Sequence, residues 1–258
     1  MVAQRLQLHR ALSKLGLCSR KVAARWVAEG RVRVRGVVVR DPLVWVALGE
    51  DAIAVERGAA EPPAALGPPT GARVYALHKP RGVVTTRADE RGRGTVYELL
   101  PPDAGGGWLF PVGRLDRDSE GLLLFTNDGV LADALTDPRR HVPKTYRVRL
   151  DRALEPAEQA RLRAGVELDG RTTAPAAITW ERGHWYRVVL REGRNRQLRR
   201  MFALDGRKVE RLVRLEVGPV ALGDLAVGAG RWLSPVELAA LRAAAGLAVG
   251  DEPPVEAG

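Results

Sequence analysis

The sequence predicts an α+β protein in which a small basic N-terminal module precedes a larger mixed domain. Strand-like and helix-like segments alternate without a regular βαβ repeat, which favours a mostly antiparallel sheet flanked by helices and loops. A stretch rich in Pro, Gly and Ala at residues 57–71 divides the 258-residue chain. We therefore expect a module over residues 1–57, a linker over 58–71, a main domain over 72–248 and a disordered tail over 249–258.

Two helices and a hairpin are predicted in the N-terminal module. Apolar spacing of i, i+3, i+4 and i+7 predicts the first helix. That spacing is found in Leu8, Ala11, Leu12 and Leu15. Ser19 is a suitable cap for a second helix, which ends at Gly30. Alternation with valine then places Arg31, Arg33 and Arg35 on one face of a strand, where three guanidinium groups in a row suit phosphates.

Positive charge is concentrated in this module. The chain has 41 lysines and arginines against 31 acidic residues, a net charge of +10. Residues 1–40 hold ten of the basic residues and one acid, so the rest of the chain is nearly neutral. A genome rich in arginine codons would spread the excess evenly, whereas a compact basic module is typical of proteins that bind polyanions. We expect a nucleic acid as the partner.

The main domain contains strands and capped helices in mixed order. Strands are predicted at Arg73–His78, Gly121–Thr126, Tyr146–Leu150, Trp185–Leu190 and Leu212–Val217. Helices are predicted at Asp128–Leu135, at Glu155–Ala164, near Asn195–Leu204 and from the capping box Ser234–Glu237 onward. This order is an α+β pattern.

Several kinds of chemistry are excluded by what the sequence lacks. Cys18 is the only cysteine and the four histidines are scattered, so no metal-ligand spacing occurs. No dinucleotide loop, phosphate loop or serine-nucleophile elbow is present. We therefore expect an enzyme without metal or cofactor, whose chemistry uses carboxylates, arginine and tyrosine. The single cysteine, the short apolar runs and the absence of a secretory pattern indicate a cytoplasmic protein.

The most informative stretch is GRLDRDSEGLLLFTNDG at residues 113–129. It places Asp116 on a short loop just before a buried strand, where a rigid scaffold can orient a catalytic carboxylate. An aspartate in a turn more often forms hydrogen bonds with the local backbone. The residues of this stretch alone leave both interpretations open.

A series of motifs follows along the main domain: LHKPRGVVT at 77–85, RGTVYELL at 93–100, GRLD at 113–116, KTY at 144–146 and EGRNRQLRRM at 192–201. In this order they resemble the motifs of the RsuA/RluB/RluE/RluF family of bacterial ribosomal RNA pseudouridine synthases. The resemblance covers about residues 75–235 and implies the pseudouridine synthase fold. It also implies a cofactor-free enzyme that breaks the N-glycosidic bond of a uridine, turns the base and rejoins it through carbon.

The resemblance implies roles for individual residues. Asp116 is then the catalytic carboxylate, Tyr146 lies against the base, and Arg199 pairs with the carboxylate and keeps it ionised. A uridine in folded RNA must be flipped out of the stack, and Arg114 either fills the vacancy or contacts a phosphate. The expected RNA-facing rim around the last motif is basic. It comprises Arg191, Arg194, Arg196, Arg200, Arg207 and Lys208.

The N-terminal module is similar to the S4-type RNA-binding domain that several members of this family carry. The similarity lies in Arg5–Leu12, in GLCSR at 16–20 and in GRVRV at 30–34. His9 and Arg35 differ from the residues common at these positions, which leaves the detailed contacts open. The RNA contacts expected here are Arg20, Lys21, Arg31, Arg33 and Arg35.

Two functions of different class are compatible with the sequence. The first is an enzyme that isomerises a specific uridine in ribosomal RNA, with large-subunit RNA favoured over small-subunit RNA. The second is a non-catalytic RNA-binding or ribosome-assembly protein on the same fold. The joint presence of Asp116, Tyr146 and Arg199 favours the enzyme, because a binding protein does not need all three. We expect a monomer that acts on ribosomal RNA or a pre-ribosomal particle and binds no membrane.

Overall fold

A computed structural model describes most of the chain. The described residues are 5–15, 17–18, 20–48, 50–56, 72–87, 89–101 and 109–247. The predicted linker over 58–71, the predicted tail over 249–258 and the predicted helix cap Ser19 lie outside them. The described residues form an α+β fold, as the sequence predicts.

The N-terminal module consists of two helices packed on short strands. Helix α1 (Leu8–Lys14) packs against helix α2 (Arg20–Ala28). The strands are β1 (Arg5–Gln7), β2 (Val32–Val34), β3 (Val37–Val39), β4 (Trp45–Ala47) and β5 (Ile53–Val55). β1 pairs with β4, and β2 lies between β3 and β5. The predicted helix pair and hairpin are confirmed, whereas β1, β4 and β5 were missed because three residues carry little periodicity.

The row of three arginines predicted on β2 is wrong. Arg35 lies beyond the strand in a turn, with a φ angle of 51°, and its side chain pairs with Asp51. Arg33 Nε donates to Glu56 Oε1 at 2.8 Å, and Arg31 Nε donates to the backbone oxygen of the same glutamate at 2.9 Å. Each guanidinium therefore has a partner inside the module, and the three do not form a free basic face.

The main domain is built on a nine-stranded sheet. Its strands are β6 (Val74–Lys79), β7 (Phe110–Pro111), β8 (Glu120–Thr126), β9 (Lys144–Leu150), β12 (Ala177–Arg182), β13 (Trp185–Leu190), β14 (Val209–Val217), β15 (Val220–Ala221) and β16 (Gly230–Trp232). The order is β12-β13-β9-β14-β8-β6-β16, with β7 beside β8 and β15 beside β14. A separate hairpin joins β10 (Glu167–Leu168) to β11 (Arg171–Thr172). Among the described strands, β8 and β14 are the one parallel pair, which confirms a mostly antiparallel sheet.

Four helices flank this sheet at the positions that the sequence predicts. They are α3 (Gly129–Thr136), α4 (Pro156–Ala164), α5 (Gln197–Ala203) and α6 (Pro235–Ala244). α3 and α6 contribute Leu131 and Leu241 to a core that includes β6 and β8. α4 and α5 contribute Leu162 and Phe202 to a second core with β9, β12 and β13. β14 contributes residues to both cores.

Strand β8 is buried along its whole length and joins the two halves of the sheet. Leu122 and Leu124 pack into the core beneath α3, while Leu123 and Phe125 pack on the other face. Gly121 adopts a φ angle of 103°, and a Cβ there would lie 2.3 Å from the backbone oxygen of Arg214. Glycine is therefore required for the close approach of β14, and the loop that precedes β8 starts from a fixed scaffold.

Candidate active site

Asp116 lies on the loop between β7 and β8, as predicted. Its backbone oxygen accepts a hydrogen bond from Ser119 N at 3.1 Å, which closes a turn. The neighbouring Leu115 is buried, and its backbone bonds twice to Thr85. Thr85 Oγ1 donates to Leu115 O at 2.8 Å and accepts from Leu115 N at 3.3 Å. The backbone on both sides of Asp116 is therefore held in place.

Lys79, at the end of β6, is fully buried beside this loop. Its Nζ donates to Ser119 O at 2.8 Å and to Pro80 O at 3.0 Å. Burial lowers the pKa of Lys79 to about 8, although nearby carboxylates, chiefly Asp118, act to raise it. The motif LHKPRGVVT contains this lysine, but a motif does not show that a charged side chain is buried.

Two arginines near the start of α5 bind the carboxylates of the loop. Arg199 Nη2 donates to Asp118 O at 3.0 Å, and its Nη1 donates to Val209 O at 3.0 Å. Arg196 Nη1 lies 3.5 Å from Asp116 Oδ2 and 3.1 Å from Asp118 Oδ1. The predicted ion pair between Arg199 and Asp116 is not formed, because the guanidinium of Arg199 is occupied by Asp118 and by backbone oxygens. Arg196 is instead the described residue at ion-pair distance from Asp116.

Asp118 and these two arginines share one electrostatic network. Burial raises the pKa of Asp118, but the hydrogen bond from Arg196 and the charges of Arg199 and Arg196 outweigh it, so the pKa lies below its usual value. Burial lowers the pKa of Arg199, whose side chain is 12% exposed. Arg199 therefore holds the loop through both the backbone oxygen of Asp118 and its carboxylate, the latter at 3.2 Å, while Arg196 lies on the open side of the loop.

A cavity of about 890 Å³ opens beside Asp116. Among the described residues that line it, eight basic side chains face three acidic ones. The volume lies in the range of small-molecule sites, and the excess of positive charge suits a polyanion. This cavity can therefore admit a nucleotide from a longer nucleic acid.

Five of the predicted site residues line this cavity, Arg194 and Arg196 among them. Tyr146 is half-buried on β9 and lines the cavity together with Asp116. Arg114 also lines it, is exposed, and has no hydrogen bond or ion pair with any described residue. Arg199, in contrast, does not line the cavity and lies behind the loop.

The predicted basic rim around the last motif is formed only in part. Arg194 lines the cavity, but its guanidinium donates to backbone oxygens of the β10–β11 hairpin and to Glu192. Arg200 pairs with Asp169 at 2.5 Å. Placing Arg207 on the rim was wrong, because it is buried and paired with Glu158. Three basic residues of the predicted rim are exposed. They are Arg191, Arg196 and Lys208.

Arg20 and Lys21 lie at the boundary of the N-terminal module. Both are exposed and line a second cavity of about 540 Å³ between the module and the main domain. Beside it, Lys14 Nζ lies 2.8 Å from Asp133 Oδ2, an ion pair that joins α1 to α3. These cationic side chains continue the positively charged surface toward Gly113, next to the main cavity.

Neither a metal-binding cluster nor a membrane-spanning helix occurs in the described part of the chain. No three His, Cys, Asp or Glu residues in it lie close enough together to hold a metal ion. None of its helices is sufficiently long and apolar to span a membrane.

Comparison with known proteins gives this arrangement a class. A model of the S4 domain matches residues 7–43, and a model described as RNA pseudouridylate synthase matches residues 73–204. The chain therefore combines an RNA pseudouridylate synthase domain with an S4 domain.

Individual relatives define the class further. The chain is 38% identical to an RNA pseudouridine synthase of Mycobacterium tuberculosis, over 94% of this chain and 95% of that protein. It is 35% identical to ribosomal large subunit pseudouridine synthase B of Bacillus subtilis, over 93% and 96% of the two chains. A crystal structure of a pseudouridylate synthase superposes with a TM-score of 0.65 at 30% identity, covering 92% of this chain and 99% of that one. The chain belongs to the RNA pseudouridine synthase family, which confirms the predicted enzyme class and the predicted fold.

Proposed function

We propose that this pseudouridine synthase isomerises a specific uridine in ribosomal RNA, using the carboxylate of Asp116 on a flipped-out nucleotide. Large-subunit RNA is the favoured substrate, because the relative in Bacillus subtilis is named for the large ribosomal subunit. A non-catalytic RNA-binding or ribosome-assembly protein on the same fold is disfavoured. Such a protein has no need of a carboxylate that is fixed in a cationic cavity beside a tyrosine.

The observation that carries this proposal is the position of Asp116. Its side chain is 28% exposed, lines the cavity and has Arg196 at 3.5 Å. Cleavage of an N-glycosidic bond leaves positive charge on the sugar carbon, which a carboxylate stabilises or captures. The guanidinium of Arg196 stabilises the negative charge of this carboxylate in a partly dry cavity.

The other site residues have separate tasks in this proposal. Tyr146 lies against the flipped base and is placed to exchange a proton with it. Arg114 enters the space that the uridine leaves or binds a phosphate beside it. Arg199 is a positioning residue, since it binds the backbone of the loop at Asp118 O and not the carboxylate of Asp116.

The charge of the N-terminal module indicates the binding partner of the protein. The basic N-terminal module, with Arg20 and Lys21 exposed at the boundary, supplies a second anchor on a structured RNA. We propose that the enzyme acts as a monomer in the cytoplasm, on ribosomal RNA or a pre-ribosomal particle, and without a metal or cofactor.

Mapping of pseudouridine tests the substrate. Purified protein is incubated with unmodified large-subunit and small-subunit RNA transcripts, and pseudouridine is located by carbodiimide labelling and primer extension. We expect one modified position in the large-subunit RNA, and the same position to be unmodified in a strain that lacks the gene. Modification of the small-subunit RNA alone would reject the substrate. Modification of neither RNA, and of neither pre-ribosomal particle, would reject the activity.

A further inference from the structure

Arg214 on β14 is a buried arginine to which the proposed mechanism gives no task. It is 5% exposed and lines the cavity that contains Asp116 and Tyr146. Its Nε donates to Leu122 O at 2.7 Å, while its Nη2 is buried without a hydrogen-bond partner. No ion pair among the described residues includes this guanidinium.

The backbone fixes where this side chain points. Arg214 is the direct antiparallel partner of Tyr146 on β9, so the two side chains leave the sheet on the same face. On its other side Arg214 pairs with Gly121, where the strands approach so closely that no Cβ fits. The guanidinium is therefore held at the cavity wall beside the tyrosine.

Lys144 is a second cation on the same wall. It lies two residues before Tyr146 on β9, on the same strand face, and also lines the cavity. Its Nζ donates to Leu135 O at 3.0 Å, and it forms no ion pair with a described residue. Burial lowers the pKa of Lys144 to about 8, and the charge of Arg214 contributes to this shift.

A buried cation, Arg214, and a half-buried one, Lys144, are costly to the folded protein when neither has a counter-ion. An unpaired buried charge strongly destabilises a folded protein. An unsatisfied buried polar group in a native structure calls for an explanation, and a role in binding or catalysis is one such explanation. Of the carboxylates that line the cavity, Asp116 is at ion-pair distance from Arg196, and Asp89 pairs with Arg93. A ligand that accepts hydrogen bonds and carries negative charge would satisfy Arg214 and Lys144.

The buried position of Arg214 in the cavity wall determines which part of the RNA can reach it. Phosphates stay with the backbone at the mouth of the cavity, where Arg114 and Arg117 are exposed. Only the flipped base enters as far as Tyr146. We propose that Arg214, assisted by Lys144, binds a carbonyl oxygen of the flipped uracil and stabilises the negative charge that the ring acquires during the reaction. This inference rests on the proposed function.

The negative charge on the uracil ring comes from the electron pair of the bond that breaks. When the C1′–N1 bond is cleaved, its electron pair stays on uracil and is shared by N1, O2 and O4. Positive charge on C1′ is met by the carboxylate of Asp116. After the ring turns, the pair forms the C5–C1′ bond, the proton leaves C5, and N1 takes up a proton. The sum is an isomerisation that needs no oxidant or reductant.

The first test replaces Arg214 by Met and by Lys. Single-turnover rates at saturating RNA should fall about 10- to 100-fold for Arg214→Met and less for Arg214→Lys, the size of a lost charged hydrogen bond. The affinity for RNA should change less than twofold, because the phosphate contacts are elsewhere. Arg187→Met is the matched control, since Arg187 is a strand arginine paired with Glu216 on the opposite sheet face, and its rate should equal that of wild type.

A change in the substrate separates contact with the base from a structural role. Substrates with 2-thiouridine or 4-thiouridine at the target weaken one carbonyl acceptor at a time. Wild type should lose rate with one of them, and Arg214→Met should lose no further rate with that substrate. If Arg214→Met does not fold, the same thiouridine substrates are tested with Arg214→Lys. The thio substitution should then reduce the rate of Arg214→Lys less than it reduces the rate of wild type.

The outcomes distinguish this inference from the proposed function. Equal rates for wild type and folded Arg214→Met would overturn the role of Arg214 while leaving the activity in place. Additive effects of variant and thio substitution at both positions would also overturn it. A wild-type protein that modifies no uridine would instead reject the proposed function.

Discussion

Lys79 Nζ donates a hydrogen bond to the backbone oxygen of Ser119 at 2.8 Å and so ties the end of β6 to the loop that carries Asp116. The same loop is bound from α5 by Arg199, which donates to Asp118 O. Two cations therefore hold the loop by its carbonyl oxygens, and neither uses the carboxylate of Asp116. The carboxylate of Asp116 lines the cavity, where Arg196 is the described residue at ion-pair distance from it.

Replacing Asp116 by Asn should abolish turnover and leave the fold and the affinity for RNA unchanged. The amide keeps the shape of the side chain but carries no charge for the sugar. Tritium release from RNA labelled at C5 of uridine measures the loss. Asp133→Asn, at the ion pair with Lys14, is the control and should stay active. Turnover of the Asp116 variant within tenfold of wild type would contradict its assignment.

The two arginines of the network should behave differently when replaced. Arg199→Met removes buried hydrogen bonds to Asp118 O and Val209 O, so the melting temperature should fall by several degrees. Arg196→Met removes the more exposed partner of Asp116, so the rate should fall while the melting temperature stays nearly constant. Thermal melts and single-turnover rates together check this. The reverse pattern would show that the ion pair with Asp116 belongs to Arg199.

Stability should rise with pH between about 8 and about 10.5, in part because of Lys79. Burial lowers the pKa of Lys79 to about 8 in the folded protein, whereas an unfolded lysine titrates near 10.4. In this window the unfolded chain binds more protons, so the free energy of unfolding increases with pH. Urea titrations across this pH range should show a shallower rise for Lys79→Met. Equal slopes in the two proteins would contradict the lowered pKa.

The same Lys79→Met variant should also catalyse the reaction more slowly than wild type. Ser119 O and Pro80 O lose their donor, so the loop is held less firmly. We expect a rate reduced about 10-fold or more with unchanged affinity for RNA. An unchanged rate at saturating RNA would show that the other contacts suffice to hold Asp116.

A fragment that begins at Thr70 should fold and retain slow chemistry. The main domain has its own cores, and the described link to the module includes the ion pair of Lys14 with Asp133. Loss of the basic module should weaken RNA binding and reduce its dependence on salt, because phosphate contacts set that slope. Affinity measured at several salt concentrations checks this. Identical affinity and slope for fragment and full chain would remove the module from RNA binding.

Activity should survive treatment with EDTA followed by desalting. Isomerisation needs no oxidant, energy source or group donor, and the proposed residues supply the carboxylate and the cations. The substrate must be a short stem-loop that folds without magnesium, since metal removal otherwise acts on the RNA. Activity that returns only when a metal or nucleotide is added would contradict a cofactor-free mechanism.

The elements that the sequence predicted well are those with strong local signals. Asp128 caps α3 by accepting hydrogen bonds from Val130 N and Leu131 N at 2.9 Å, and Ser234 caps α6 in the same manner. The buried run of β8 and the position of Asp116 before it were also predictable. Helix caps and hydrophobic periodicity act over a few residues, so they can be recognised without the fold.

What the sequence could not predict depends on distant partners. Arg33 meets Glu56 across the module, and Arg199 meets the backbone at Asp118 and not Asp116. Such pairings are decided by tertiary packing. Arg214 did leave one signal, since it occupies the inward face of a strand on which Leu212 is also buried. A charge at a position where the pattern calls for an apolar residue marks a candidate site.

The short parallel contact of β8 with β14 has a consequence for how the enzyme can be altered. Asp116 precedes β8, which packs in the core with α3 and α6, whereas Tyr146 lies on β9, which packs in the core with α4 and α5. These two halves of the domain meet on β14, where Arg214 lies against Gly121. The candidate active site therefore lies at the boundary between the two halves. A distant substitution that tilts the helices of either half changes the position of Asp116 relative to Tyr146. Activity therefore reports on the integrity of the whole domain. A chimera of one half of this domain with the other half of a relative would stay active only if the contact between Gly121 and Arg214 is kept.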